Sequence, residues 1–163
     1  MIRRKLALGA LAVLLGAVGA AVAASPAQAT LPTWNGHIYN VQSPRCLDSS
    51  TPTAVTMRTC LNAPYQKWAM FSTVSPSHIS SNNASNCLDE GSGANGSVAR
   101  MVTCVNNLHQ KWIYSQVNFT LVNAASGRCL DADLGTINQE GTKVQVWDCG
   151  GGDNQIWFFE NGP

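Results

Sequence analysis

The sequence predicts an all-β domain made of three copies of one unit. A repeated frame is the first reason. The tripeptide CLD stands at 46–48, 87–89 and 129–131, and each copy is followed by a second cysteine, Cys60, Cys104 or Cys149. Each copy then closes on a glutamine two residues before a tryptophan: Gln66 and Trp68, Gln110 and Trp112, Gln155 and Trp157. The spacing is the second reason. Cys46 to Cys87 is 41 residues and Cys87 to Cys129 is 42, and a fixed period in this range marks a repeat architecture. Third, helical periodicity is nearly absent, while short apolar alternations recur between Gly, Pro, Asn and Ser turns, the pattern of many short strands. A closed three-fold barrel would also remove exposed strand edges.

The chain begins with a different signal. Arg3, Arg4 and Lys5 precede an uncharged apolar run from Leu6 to Ala24, and Ala27-Gln28-Ala29 fits a small-residue cleavage site. The run approaches membrane-spanning length, but its Ala and Gly content and the cleavage site favour a secretory signal at 1–29 over an anchor. Arg3-Arg4 hints at twin-arginine export, which Leu6-Ala7 fits poorly, so general secretion is expected. The mature protein is then extracellular, begins at Thr30 and inserts in no membrane. Removing 29 of 163 residues leaves 134, a normal size for one domain. That domain is 30–163, with repeats at about 34–74, 75–115 and 116–160.

Cleavage also changes the charge. The signal takes three of the ten basic residues, leaving 7 against 9 acidic ones, a net −2. This balance gives no footprint for nucleic acid or for an anionic membrane.

His37-Ile38-Tyr39-Asn40-Val41 opens the first unit, and Phe119-Thr120-Leu121-Val122 opens the third. Pro44, the Asn82–Asn86 cluster and Gly127 supply turn chemistry before each CLD. The strand before each second cysteine is the most informative. In the third unit it reads Val144-Gln145-Val146-Trp147-Asp148-Cys149. Alternation puts Val144 and Val146 on one face and Gln145 and Trp147 on the other. The first face is apolar in every copy, as Val55 and Met57 and as Ala99 and Met101, and reads as core. The second face differs, with Thr56 and Arg100 at the Gln145 position and Arg58 and Val102 at the Trp147 position. Residues common to the copies are expected to be structural: Leu47, Leu88 and Leu130, and Trp68, Trp112 and Trp157. Trp147 has no aromatic counterpart. Beside a carboxylate it suits a sugar, whose apolar C–H face a ring can cover. Local packing near a disulfide is the plainer alternative.

The thrice-repeated CxD, second cysteine and QxW resemble the ricin B-type lectin family, over nearly the whole mature chain. The resemblance implies a β-trefoil that binds carbohydrate. All six cysteines lie in the mature part, two per repeat, and a secreted chain with an even count reads as disulfide-bonded. The repeat selects Cys46–Cys60, Cys87–Cys104 and Cys129–Cys149. No CxxC occurs and His37, His78 and His109 stand at no ligand spacing to cysteine, so neither metal nor cofactor is expected.

The family's sugar pocket uses five positions, which fall on Asp131, Gln145, Trp147, Asn154 and Gln155. The resemblance implies that Asp131 accepts from two adjacent sugar hydroxyls, Asn154 both donates and accepts, Trp147 is the platform, Gln155 orients Asp131 and Gln145 lines the strand side. Gly150, Gly151 and Gly152 let the loop turn closely. The first unit keeps only Asp48 and Gln66, and the second only Asp89 and Gln110; these are weak second sites at most. Tyr65 or His109 could supply another platform. Catalysis is not expected: a glycosidase needs two carboxyls flanking a bond, and Asp133 reads as a turn residue. The expected protein is a monomeric lectin for galactose, galactosides, xylan or related glycans. The rival is a trefoil with a protein partner, a protease inhibitor or adhesin.

Overall fold

The computed structural model describes residues 34–51, 53–73, 75–81 and 85–161. The secretory signal and Thr30 lie outside them. The described residues form 13 strands in one curled sheet, with three short 3₁₀ turns.

Each unit has one opening strand, a hairpin and one closing strand. In the first unit these are β1 (Trp34–Asn40), the β2–β3 hairpin (Cys46–Asp48, Thr56–Arg58) and β4 (Trp68–Met70). In the second they are β5 (Ile79–Ser81), β6 (Asn86–Asp89) with β7 (Ser97–Val98) and β8 (Arg100–Thr103), and β9 (Trp112–Ser115). In the third they are β10 (Thr120–Asn123), β11 (Cys129–Ala132) with β12 (Thr142–Trp147), and β13 (Trp157–Asn161).

Opening and closing strands make the barrel. Each opening strand pairs antiparallel with the closing strand of another unit: β5 with β4, β10 with β9, β1 with β13. Within units the ring is completed by β1–β4 pairing, by the Ser77–Trp112 bridge, and by Trp157 N–H donating to Phe119 O at 2.8 Å. The hairpins β2–β3, β6–β8 and β11–β12 cover it. They meet at the pseudo-three-fold axis in a cycle of backbone bonds. Val55 N–H donates to Ala99 O (2.8 Å), Ala99 N–H to Val144 O (3.0 Å), and Val144 N–H to Val55 O (3.3 Å). Three equivalent residues thus satisfy one another's buried polar groups, as a buried backbone requires. This is the β-trefoil.

The core follows the repeat. Val55, Met57, Ala99, Met101, Val144 and Val146 are all buried, as the alternation predicts. Trp68, Trp112 and Trp157 are fully buried, and each indole N–H donates to the carbonyl of its own CxD leucine, Leu47, Leu88 or Leu130, at 2.9 Å. The tryptophan and the CxD segment are therefore one structural device, used three times. Replacing any of these tryptophans by alanine would cost about 3–5 kcal/mol. Disulfides join Cys46–Cys60, Cys87–Cys104 and Cys129–Cys149, one within each unit, and no described cysteine is free.

Some boundaries differ from the expectation. Strand β1 starts three residues before His37, at Trp34, and stops at Asn40. Asn86 belongs to β6, paired with Thr103, because the ladder runs on to Cys104 N–H donating to Ser85 O. Phe119 precedes β10 and adopts φ 55°, its N–H closing a turn onto Ser115 O. Gly127, at φ 70°, makes the turn before the third CLD as expected.

Candidate functional site

The antiparallel register of β11 and β12 sets Asp131 directly opposite Gln145. Directly opposed side chains share a face and touch. Gln145 Nε2 donates to Asp131 Oδ1 at 3.0 Å. The 3₁₀ turn Asp153–Gln155 brings two more amides to the same carboxylate. Asn154 Nδ2 donates to Asp131 Oδ2 at 2.9 Å and to Ala132 O at 3.1 Å. Gln155 Nε2 also donates to Asp131 Oδ2 at 2.9 Å. It is itself clamped, donating to Asp148 O (3.0 Å) and accepting from Gly150 N–H (2.8 Å). Asp131 is 4% exposed and takes three N–H bonds, with one acceptor direction left on Oδ1.

The backbone around Asn154 is fixed from both sides. Asn40, at the end of β1, donates through Nδ2 to Asn154 O at 3.0 Å. On the other side Gly152 is packed so close that a Cβ there would stand 2.7 Å from Asn154 Oδ1. Glycine at 152 is thus needed for close approach.

Trp147 ends β12 and is 45% exposed, unlike the three core tryptophans. A Cβ on Gly96, in the second unit, would stand 3.5 Å from the Trp147 ring. The segment carrying Gly96 is tied on firmly. Gly96 N–H donates to Val146 O at 2.9 Å. Asn95 Nδ2 donates to Asp148 Oδ2 at 2.7 Å, and Asp148 N–H donates back to Asn95 Oδ1 at 2.9 Å. Arg128 donates to the same Asn95 Oδ1 and pairs with Asp148 at 3.1 Å.

Asp131, Gln145, Trp147, Asn154 and Gln155 all line one open cleft of about 650 Å³. Gln145 is more enclosed than a residue on an open polar face. It is 4% exposed, and β7 of the second unit pairs beside it, with Gln145 opposite Val98. Its Oε1 is buried and has no donor. Asp133, Leu134 and Asp148 also line the cleft. Asp133 has the turn role expected of it: its carbonyl accepts from Thr136 N–H, and its carboxylate takes Thr136 Oγ1–H at 3.0 Å and lies 3.9 Å from Lys143 Nζ. Leu134, 60% exposed at the rim, carried no motif that could have marked it.

The other two units keep the carboxylate and the glutamine but satisfy the carboxylate from within. Gln66 donates to Asp48 at 2.9 Å and Gln110 to Asp89 at 3.4 Å. The outward oxygen is consumed by a turn: Ser50 N–H donates to Asp48 Oδ1, and Gly91 N–H to Asp89 Oδ1, each at 2.9 Å. In the third unit the ladder continues instead, with Asp133 N–H donating to Lys143 O at 2.9 Å. Arginine adds a further partner. Arg58 lies 4.0 Å from Asp48 and Arg100 3.3 Å from Asp89. Among the described residues no cationic side chain lies within 4.0 Å of Asp131. His109 is held too, its Nδ1 2.7 Å from the buried Glu90.

No group of three or more His, Cys, Asp or Glu among the described residues is arranged to hold a metal ion. No described helix is long and apolar enough to cross a membrane.

Residues 34–157 match the family described as the ricin-type beta-trefoil lectin domain. No curated protein matches. Among solved structures, the designed three-fold symmetric protein ThreeFoil has 19% identity and TM-score 0.67, over 76% of this chain and 95% of that one. The earthworm R-type lectin C-half in complex with GalNAc has 19% identity and TM-score 0.63, over 78% and 98%. The agglutinin from Abrus precatorius has 20% identity and TM-score 0.65, over 80% of this chain but only 47% of that one. At such identities the likeness is one of fold.

Proposed function

The chain belongs to the ricin-type β-trefoil lectin family, a carbohydrate-binding fold, and from that premise we propose that it binds galactose-type or related sugars through its third unit. The observation that carries this reading is the pairing of an exposed aromatic with an amide-held carboxylate in one cleft. Trp147 offers a ring to the apolar C–H face of a pyranose, and the polar wall opposite meets its hydroxyls. Asp131 Oδ1 has room for a hydroxyl donor, and a carboxylate bonds a hydroxyl more strongly than a neutral acceptor does. Gln145, Asn154 and Gln155 hold that carboxylate in place before any ligand arrives, which lowers the ordering cost of binding.

The proposed role is binding without catalysis. The second carboxylate of the segment, Asp133, is committed to Thr136 and Lys143. Secretion by cleavage after Ala29 completes the proposal, and intramolecular disulfides are compatible with an extracellular setting. The proposed working form is a monomer with one principal site, and such a shallow site should bind in the millimolar range or somewhat below, about −4 to −6 kcal/mol.

A glycan array probed with the mature protein tests this, followed by calorimetric titration with galactose, lactose and xylo-oligosaccharides. Binding of one of these classes, lost in Trp147→Ala, is the expected result. Failure to bind any glycan would reject the sugar site in favour of a protein partner.

A further inference from the structure

We infer that this cleft selects sugars by charge, taking neutral and amino sugars and rejecting uronic and sialic acids. The inference rests on the lectin reading of the same cleft and adds the class of ligand. Its basis is a contrast between units. The CxD carboxylates Asp48 and Asp89 are each partnered by an arginine, Arg58 or Arg100. The Asp131 carboxylate is held only by the neutral amides of Gln145, Asn154 and Gln155. Its negative charge is therefore left for the ligand to meet.

The rest of the lining points the same way. Asp133 and Asp148 also line the cleft, and no lysine or arginine does. Lys143 and Arg128 pair with those two carboxylates and add no excess positive charge. The hydrogen-bonding capacity agrees with the charge. The amide N–H groups of Gln145, Asn154 and Gln155 are spent on Asp131, whose Oδ1 keeps one acceptor direction. The inner wall thus asks for donors. A hydroxyl or an ammonium supplies them, whereas an ionised carboxylate is acceptor-only.

The size of the effect follows from Coulomb's law. One unit charge about 6 Å from another in water changes affinity roughly three-fold. Galactose, galacturonic acid and galactosamine, with their glucose counterparts, would be titrated against the mature protein at about 10 mM and about 1 M salt, where the screening length falls from roughly 30 to 3 Å. Leu134→Lys adds a cation at the exposed rim and serves as the charge control. At low salt the uronic acid is expected to bind about three-fold more weakly than the neutral sugar and the amino sugar about three-fold more tightly. The differences should collapse at high salt and narrow in Leu134→Lys. Equal or tighter binding of the uronic acid at low salt, or an order unaffected by salt, would overturn the selectivity while leaving the sugar site standing. If none of these sugars and no glycan on an array is bound, the site itself is rejected and the selectivity with it.

Discussion

Gln145 and Asp131 face each other across the third hairpin, joined by an amide-to-carboxylate bond of 3.0 Å. In the second unit the same two positions hold Arg100 and Asp89, joined at 3.3 Å by an ion pair. One exchange, glutamine for arginine, turns a neutralised carboxylate into one with charge to spare. The second unit keeps the carboxylate and the glutamine but not the rest: Gly91 N–H also occupies Asp89 Oδ1, and Val102 stands where the third unit has Trp147.

The platform is the first thing to remove. Trp147→Ala deletes the exposed ring without touching the common apolar face. Sugar affinity should fall at least about ten-fold, equivalent to about 1.4 kcal/mol. The melting temperature should hardly move. Arg58→Ala and Val102→Ala, at the matching positions, should leave binding unchanged. Calorimetric titration beside circular dichroism reads all three, and wild-type affinity in Trp147→Ala would place the site elsewhere.

Asp131→Asn preserves shape and reverses part of the hydrogen bonding. Its new amide would set an N–H group against the donors of Gln145, Asn154 or Gln155. A buried donor left without an acceptor costs about 1–3 kcal/mol. This variant should lose binding and also melt earlier, a double effect that separates it from Trp147→Ala. Thermal melts with and without sugar would measure it.

Gly152→Ala tests whether Asn154 must stay where it is. The added Cβ would stand 2.7 Å from Asn154 Oδ1, so the side chain must shift off Asp131. The expected outcome is weaker sugar binding in a protein that still folds and elutes as the wild type does. Unchanged affinity would show that Asn154 contributes nothing to the ligand.

Processing and the disulfides can be read in one mass spectrum. Secreted protein should begin at Thr30 and carry three intra-unit bridges with no free thiol. Each bridge spans a separation of 14, 17 or 20 residues, worth on the order of 3 kcal/mol in the chain-entropy account. Reduction should therefore lower the melting temperature sharply. An N-terminus many residues from Thr30 would reject the proposed signal.

Much of this architecture is legible in the sequence. The CxD leucines and QxW tryptophans recur because one hydrogen bond, indole N–H to leucine carbonyl, must be made three times. The inward pairs were legible because alternation along a strand is local geometry. The five cleft positions were legible through the family resemblance, and they do converge. The strand beside Gln145 was not, since β7 comes from another unit. Leu134 was not, since a leucine in a loop carries no sign of what it faces.

By itself, then, the sequence determined the three-fold frame, the core face and the cysteine pairing, because each depends on spacing along the repeat; the set of residues around Asp131 came from what the family resemblance implies. Only the tertiary structure decided that Arg58 and Arg100 pair with two of the three carboxylates while Asp131 has no cationic partner, and that Gly96 of the second unit lies beside the Trp147 of the third. The arginine pairings depend on how far a side chain reaches across a hairpin, and the Gly96 contact on which loops the three-fold closure sets side by side. Neither distance is written in the period of the repeat.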